Sequence, residues 1–212
     1  QSHADVGEIN MKSQAKILGE GRGKGLVEFN SFGHNHNQAT CYGASCYVDN
    51  NFTPTSSIAD FDGEGKTPLA IEINKDYVLG SGVYFFDGNF NLNQGTIKKK
   101  NKDDRVVVYV NGHLDLNGSG SGNGGQIGEP DSPLLIFSNS AEIKGKYYGY
   151  LYSTGDITLQ TPHGDFCGRV SASNLTMVAH AAINSSINEN ASCSYDFNWY
   201  DEEQITLKSS EQ

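Results

Sequence analysis

The sequence predicts an all-β protein built as a right-handed parallel β-helix, in which similar coils stack around one core. Three observations lead to this prediction. A short pattern of alternating apolar residues recurs along the chain, a glycine or another small residue lies at its centre, and successive copies are 15 to 28 residues apart. Variable spacing of this size is typical of coils that carry loops of different lengths.

The repeated pattern has apolar pairs on both sides of a small residue. Copies centred on Gly88, Gly112, Gly155 and Ser173 keep one phase, and a weaker copy near Ser140 needs a slip of one residue. Because successive side chains of a strand point to opposite sides, the second pair of each copy faces one way. The residues predicted to point inward are Phe90, Leu92, Leu114, Leu116, Ile157, Leu159, Leu175 and Met177.

The chain is predicted to form a single domain over residues 1–212. Residues 71–184 hold the repeated coils, and Gly7–Met11 carries half of the same pattern. Residues 19–70 break the repeat and are predicted to be an irregular insertion. Residues 185–212, which include an aromatic run, are predicted to cap the open end of the stack, because an exposed strand edge invites aggregation.

An antiparallel β-sandwich of short strands is the alternative fold. Tight hairpins between adjacent copies would favour the sandwich. The connection over Gly118–Gly125 is instead long and rich in glycine and serine, which is typical of a loop that leaves a coil.

Composition excludes several classes of protein. The chain of 212 residues has 15 Lys and Arg against 25 Asp and Glu, a net charge of −10, which argues against nucleic-acid binding. No apolar run approaches the roughly 20 residues that span a bilayer, so no membrane insertion is predicted. The 25 glycines and 20 asparagines are typical of turns and loops rather than of a helical bundle.

The four cysteines indicate an oxidising compartment. They are Cys41, Cys46, Cys167 and Cys193, and their spacing does not match a zinc site. Three pairings are open to four cysteines, and the most local is Cys41–Cys46 with Cys167–Cys193. Together with a chain that starts at Gln1 rather than Met, they favour an extracytoplasmic protein, secreted or at the cell surface.

Two groups of polar residues are candidate sites. Outward positions of the coils form a candidate binding surface for a glycan or a protein, made of Asn91, His113, Asp115, Thr158 and Thr176. The acidic residues Asp60, Asp62 and Glu64 alternate with other residues in the way that oxygen ligands surround calcium, although the acidic residue that closes a calcium loop is missing. No other cofactor is predicted.

No catalytic residue is predicted. Carboxylates such as Asp115 and Asp156 have the positions expected of the solvent-facing half of an alternating strand. The alternative function is a polysaccharide lyase or hydrolase on the same β-helix, with paired carboxylates as its acid and base.

The repeated phrases resemble a known family. Gly82–Phe86, Val107–Gly118, Leu151–Leu159 and Gly168–Ala172 are similar to the repeat region of MshQ-type bacterial surface proteins, which are associated with mannose-sensitive haemagglutinin (type IV) pili. The resemblance covers about residues 71–184. It implies an exported, non-enzymatic surface or adhesion module, and it brings no catalytic residues.

Overall fold

The structure is a computed structural model. It describes the backbone of residues 3–12, 16–30, 40–48, 63, 65–70, 75–118, 124–160, 166–178, 182–184, 186–188 and 191–192. Side chains are described for residues 63, 65–70, 75–118, 124–160, 166–178 and 183. All regular structure in this part of the chain is β-strand, as the sequence predicts.

Seventeen strands follow one another in the described residues. They are β1 (His3–Lys12), β2 (Lys16–Asn30), β3 (Thr40–Val48), β4 (Thr67–Pro68), β5 (Tyr77–Leu79), β6 (Gly82–Asp87), β7 (Phe90–Leu92), β8 (Thr96–Lys99), β9 (Val106–Leu116), β10 (Gln126–Ile127), β11 (Leu134–Ile143), β12 (Lys146–Ser153), β13 (Asp156–Gln160), β14 (Phe166–Val178), β15 (Ala182–Asn184), β16 (Ser186–Asn188) and β17 (Ala191–Ser192). The described residues include no helix of the length and apolarity needed to cross a bilayer.

Fifteen of these strands belong to one hydrogen-bonded sheet, and every strand pair described within it is parallel. The remaining two, β16 and β17, pair with each other in antiparallel fashion. Parallel neighbours need crossover connections, so consecutive rows of the sheet cannot be joined by two-residue hairpins.

The pairings fall into three ladders of strands. Ladder A joins β4, β6, β9, β11, β12, β14, β1, β2 and β3 in that spatial order. Ladder B joins β7 with the second halves of β9 and β11, then β13, β14 and β1. Ladder C joins β5, β8, β10, the first residues of β12 and β14, then β15 and the first residues of β2 and β3.

The core is lined by one apolar residue after another along each ladder. All eight residues that the sequence predicts to point inward are buried, with an exposure of 2% or less. In ladder B these side chains belong to two rows. In the first row, the consecutive partners are Phe90, Leu114, Ala141, Ile157 and Leu175. Full burial of each such side chain contributes about 1.5–3 kcal/mol relative to exposure, which makes this row a main source of stability.

The slip of one residue lies at the corner of β11. The register between β9 and β11 shifts between Ser138 and Ser140, so that Ser140 pairs with His113. The prediction that this copy needs a one-residue slip is therefore confirmed. At this point β11 has one residue fewer than its neighbours, because the two steps from Ser138 to Ser140 lie opposite the three steps from Val110 to His113. After the shift, Ala141 and Ile143 join the inward rows.

Glycine at the corners has two different roles. Gly88 has a φ of +108°, in the region that side chains other than glycine rarely adopt. Gly112 and Gly155 do not have such a φ. A Cβ at Gly112 would collide with the carbonyl of Gly88, and a Cβ at Gly155 would come within 2.6 Å of the carbonyl oxygen of Asn139. The predicted bend thus explains Gly88, whereas close approach of the neighbouring backbone explains Gly112 and Gly155.

The N-terminal strands extend the large sheet beyond β14. Strand β1 pairs with β14, and Ile9–Leu175 and Met11–Met177 are partner positions in this register. Strands β2 and β3 follow as further rows. Residues 19–70, which the sequence predicts to be an irregular insertion, include parts of β2 and β3 and the short strand β4, all paired in parallel within the large sheet.

A second apolar cluster lies on the outer side of ladder A. Its buried members are Val107, Tyr109, Leu135, Phe137 and Tyr152, and the Tyr109 and Phe137 rings stack with centroids 4.9 Å apart. The chain at Gly63 lies against the ring of Phe85, and the ammonium of Lys66 lies 5.1 Å from the centroid of the Tyr109 ring. Strands with both sides covered have continuous apolar runs, as Val106–Val110 does.

Candidate functional site

The outer side of ladder B is a continuous polar surface, here called the polar face. None of its residues is buried. It consists of Asn89, Asn91 and Asn93; His113, Asp115 and Asn117; Ser140, Glu142 and Lys144; Asp156, Thr158 and Gln160; and Asn174 and Thr176. Each of the five groups belongs to one strand row of the sheet, and neighbouring rows are about 4.8 Å apart.

The structure brings four of the five predicted binding residues into one line. Asn91 pairs with Asp115, Asp115 with Glu142, Glu142 with Thr158, and Thr158 with Thr176. The fifth predicted residue, His113, lies two residues before Asp115 in the same row and pairs with Ser140. Sequence analysis thus identified the central line of the face except for Glu142.

Asp115 is the centre of a hydrogen-bonded cluster. Its Oδ2 accepts hydrogen bonds from the side-chain amides of Asn91 at 3.2 Å and Asn117 at 3.1 Å. The amide of Asn117 also donates to Oδ1 of Asn93 at 2.7 Å. The other carboxylate oxygen, Oδ1 of Asp115, is buried and has no hydrogen-bond partner among the described residues. The amides therefore hold the carboxylate in one orientation on the face.

Other side chains of the polar face are also linked from row to row. His113 Nδ1 lies 2.7 Å from Ser140 Oγ, and the backbone N–H of His113 donates to Oδ1 of Asn89 at 2.9 Å. The amide of Asn174 donates to Oδ1 of Asp156 at 2.7 Å. Bonds of this kind restrict the rotamers of side chains that would otherwise be free at a surface, so a ligand loses less entropy on binding them.

The charge of the polar face is predominantly negative. The face has three carboxylates, those of Asp115, Glu142 and Asp156, and one ammonium, that of Lys144. The Lys144 Nζ lies 2.9 Å from Oε1 of Glu142. The surface offers amide and hydroxyl donors between carboxylate acceptors. It can therefore form hydrogen bonds with neutral polar groups in both directions, whereas anionic groups meet like charge.

Sequence reasoning missed the row contributed by β11. Ser140, Glu142 and Lys144 alternate with the buried Ala141 and Ile143, which is the signal of a half-buried strand. The one-residue slip before Ser140 shifted this segment out of phase with the other copies. Scoring the second half of the copy separately from its first half would have revealed the row.

The predicted disulfides are tested only at one cysteine. Cys167 is buried and does not carry a free thiol. No side-chain position is described for Cys41, Cys46 or Cys193, so the partner of Cys167 is not identified. The two predicted pairings remain predictions.

The predicted calcium ligands Asp60, Asp62 and Glu64 lie outside the described residues, as does the aromatic run of the predicted C-terminal cap. Within the part of the chain that is described, no three His, Cys, Asp or Glu side chains are grouped in a way that could hold a metal ion. Asp156, named above as a carboxylate of the alternative enzyme, is exposed and accepts the hydrogen bond from Asn174.

Comparison of this chain with protein-family models, with characterised proteins and with solved structures gives no match.

Proposed function

We propose that this chain is a right-handed parallel β-helix that serves as a non-enzymatic, exported module at a bacterial surface. Its polar face binds a neutral glycan, and the module belongs to a pilus or a related cell-surface assembly. The resemblance of residues 71–184 to MshQ-type repeats is the source of the surface role. The proposal about binding rests on the geometry of the polar face.

The parallel pairing of the large sheet supports a β-helix over the alternative sandwich. A sandwich of the predicted kind is built from antiparallel strands, whereas each strand pair described within the large sheet is parallel. Single strands such as β9 and β14 also pass through two ladders, A and B, which is expected of a strand that turns a corner of a coil. Right-handedness follows from the general preference of parallel crossovers.

The observation that carries the binding proposal is the line from Asn91 to Thr176. Five coils each contribute one polar side chain to it, and the amides of Asn91 and Asn117 hold Asp115 in place. Four row spacings amount to about 19 Å, a length suited to several sugar units of a chain that lies across the coils. Carboxylates, amides and hydroxyls are the groups that pair with sugar hydroxyls, because each hydroxyl both donates and accepts.

The test is glycan binding by a variant in which the line is truncated. The variant combines Asn91→Ala, Thr158→Ala and Thr176→Ala, and its matched control combines Lys102→Ala, Asp131→Ala and Lys146→Ala at exposed positions outside the face. We expect the unmodified protein to bind neutral glycans on an array. The line variant loses tenfold or more of this affinity, and the control retains it, while both keep the circular dichroism spectrum of the parent.

Two results would contradict the proposal. One is binding by the line variant at the level of the control, which would place any glycan site elsewhere. The other is cleavage of a glycan that is abolished by Asp156→Ala, because turnover would make the protein an enzyme and not an adhesive module.

A further inference from the structure

The order of the coils in space differs from their order in the chain. Ladder A runs through β4, β6, β9, β11, β12 and β14, which follow one another in sequence, and then continues with β1, β2 and β3. The first strand of the chain therefore lies beside the last long strand. The chain proceeds in the same spatial direction from β4 to β14 and from β1 to β3.

The contact between the two parts has the same form as the contacts between repeated coils. Seven residue pairs join β1 to β14 in parallel, among them Val6–Ala172 and Asn10–Thr176, and two more join the start of β2 to β15. The chain itself does not pass directly across this contact, because it leaves β3 at Val48 and enters β4 at Thr67. Strand pairing is therefore what joins β1 to β14 in the described part of the molecule.

The connection from Val48 to Thr67 has to return to the opposite end of ladder A. Nine strands stand in that ladder, so its ends are eight spacings apart, or about 38 Å. The nineteen residue steps between Val48 and Thr67 can reach at most about 65 Å. The reach of the connection therefore exceeds the separation of the two ends. A connection of this length permits β1 to pair with the β14 of the same molecule, but it does not impose that pairing.

We propose that the unit β1–β3 is exchangeable, and that it pairs with β14 of a second copy of this chain to form head-to-tail assemblies. The same strands meet in the same register within one molecule and between two, so the exchange makes no new contact and loses none. What favours pairing within one molecule is the effective concentration that the connection provides, which is of the order of millimolar for tethered modules. An exchange that does not close on itself propagates as a filament, because each copy donates one unit and accepts another.

The test uses cysteines at a pair of residues on the two sides of the contact. Asn10→Cys and Thr176→Cys place cysteines at partner positions of neighbouring parallel strands, where Cα atoms are close enough for a disulfide. The two single variants are mixed at high concentration, incubated and oxidised. The mixture is analysed on a denaturing gel without reductant and by peptide mapping. The matched control replaces Thr176→Cys by Thr158→Cys, which lies one row further from β1.

We expect the mixture of Asn10→Cys and Thr176→Cys to give a cross-linked dimer, and the yield of this dimer should increase with protein concentration. The yield should be at least tenfold higher than that of the control mixture of Asn10→Cys and Thr158→Cys. The variant that carries both Asn10→Cys and Thr176→Cys on one chain should form an internal disulfide between these two positions, which verifies the register itself. Absence of the dimer where this double variant does close internally would overturn the proposal. Failure of the double variant to close would overturn it as well, because the exchanged contact would then not exist.

Discussion

Tyr147 is the largest of the fully buried side chains in the described part of the molecule. Its ring stacks on that of Phe166 with centroids 4.9 Å apart and an interplanar angle of 2°. Its hydroxyl donates to the backbone carbonyl of Tyr150 at 2.9 Å. Burial raises the pKa of this hydroxyl well above its ordinary value of 10, because the phenolate would be charged in an apolar core. The position therefore requires a neutral phenol.

Replacement of this hydroxyl should change stability in a pH-dependent way. Tyr147→Phe removes the hydrogen bond from this hydroxyl to the Tyr150 carbonyl and costs about 1 kcal/mol at neutral pH. Above about pH 10 the tyrosine ionises in the unfolded chain but not in the folded protein, so the unfolded state binds fewer protons and stability falls as pH rises. The variant lacks this contribution. Its free energy of unfolding, measured in denaturant from pH 8 to 11, should therefore decline less steeply than that of the parent.

Tyr84→Phe is the matched control, since the Tyr84 hydroxyl also donates to a backbone carbonyl, that of Gly80, at 3.0 Å. An equal change of slope in both variants would contradict the role assigned to burial of Tyr147.

The strands of ladder A include two positions that only glycine can occupy. Gly149 in β12 and Gly168 in β14 are consecutive partners and have φ values of +137° and +139°. A Cβ at Gly168 would collide with the carbonyl of Gly149, and a Cβ at Gly149 with the carbonyl of Leu134. At these positions, then, the neighbouring strands approach each other by backbone alone.

Gly168→Ala should lower the free energy of unfolding by more than about 2 kcal/mol, because it combines a strained φ with a backbone collision. Gly80→Ala is the control, since Gly80 has open space around the position of a Cβ. Its effect should stay within about 0.5 kcal/mol. Chemical denaturation of the two variants measures the difference, and equal stabilities would show that the rows can separate at this corner without cost.

Asparagine is abundant because it joins neighbouring rows outside the core. The amide of Asn111 donates to Asp87 at 3.0 Å, and that of Asn139 donates to Asn111 at 3.4 Å, so these residues form a second line of linked side chains. Amides suit this position because each has a donor and an acceptor, which allows one residue to bond to the rows on both sides. The high asparagine content is therefore part of the fold as well as of its loops.

One covalent bond is expected to tie β14 to the C-terminal region. Cys167 in β14 carries no free thiol, and Cys193 is its predicted partner. Loss of a bond that closes a loop of this length costs about 3–4 kcal/mol in the chain-entropy treatment, against about 2 kcal/mol for the short loop of a Cys41–Cys46 bond. The double variant Cys167→Ala/Cys193→Ala should therefore lower the melting temperature more than Cys41→Ala/Cys46→Ala does.

Peptide mapping of the unreduced protein identifies the bonds directly. Recovery of Cys167 joined to Cys41 or Cys46 would show that the local pairing is wrong.

The core could be predicted from the sequence because each buried position requires an apolar residue. An inward position has to be apolar in every copy of the pattern, so Leu114, Ile157 and Leu175 recur at the same place in each copy. The outward positions are less constrained, and the central line of the polar face was found only because it alternates with that core. Glu142 was missed where the slip at β11 interrupts the alternation.

The order of the strands in the sheet could not be predicted in the same way. Each repeated strand presents similar apolar residues to both of its neighbours, so residue patterns do not say which strand lies next to which. The long strands from β6 to β14 are neighbours in the sheet in the order in which they follow in the chain. This order is broken where β1 pairs with β14, because backbone pairing accepts any strand of matching register and the connection after β3 is long enough to allow it. Local alternation thus determined which residues of each strand point inward and which point outward. Only the tertiary structure determined the order of the strands, because strand pairing can join segments that are far apart in the sequence.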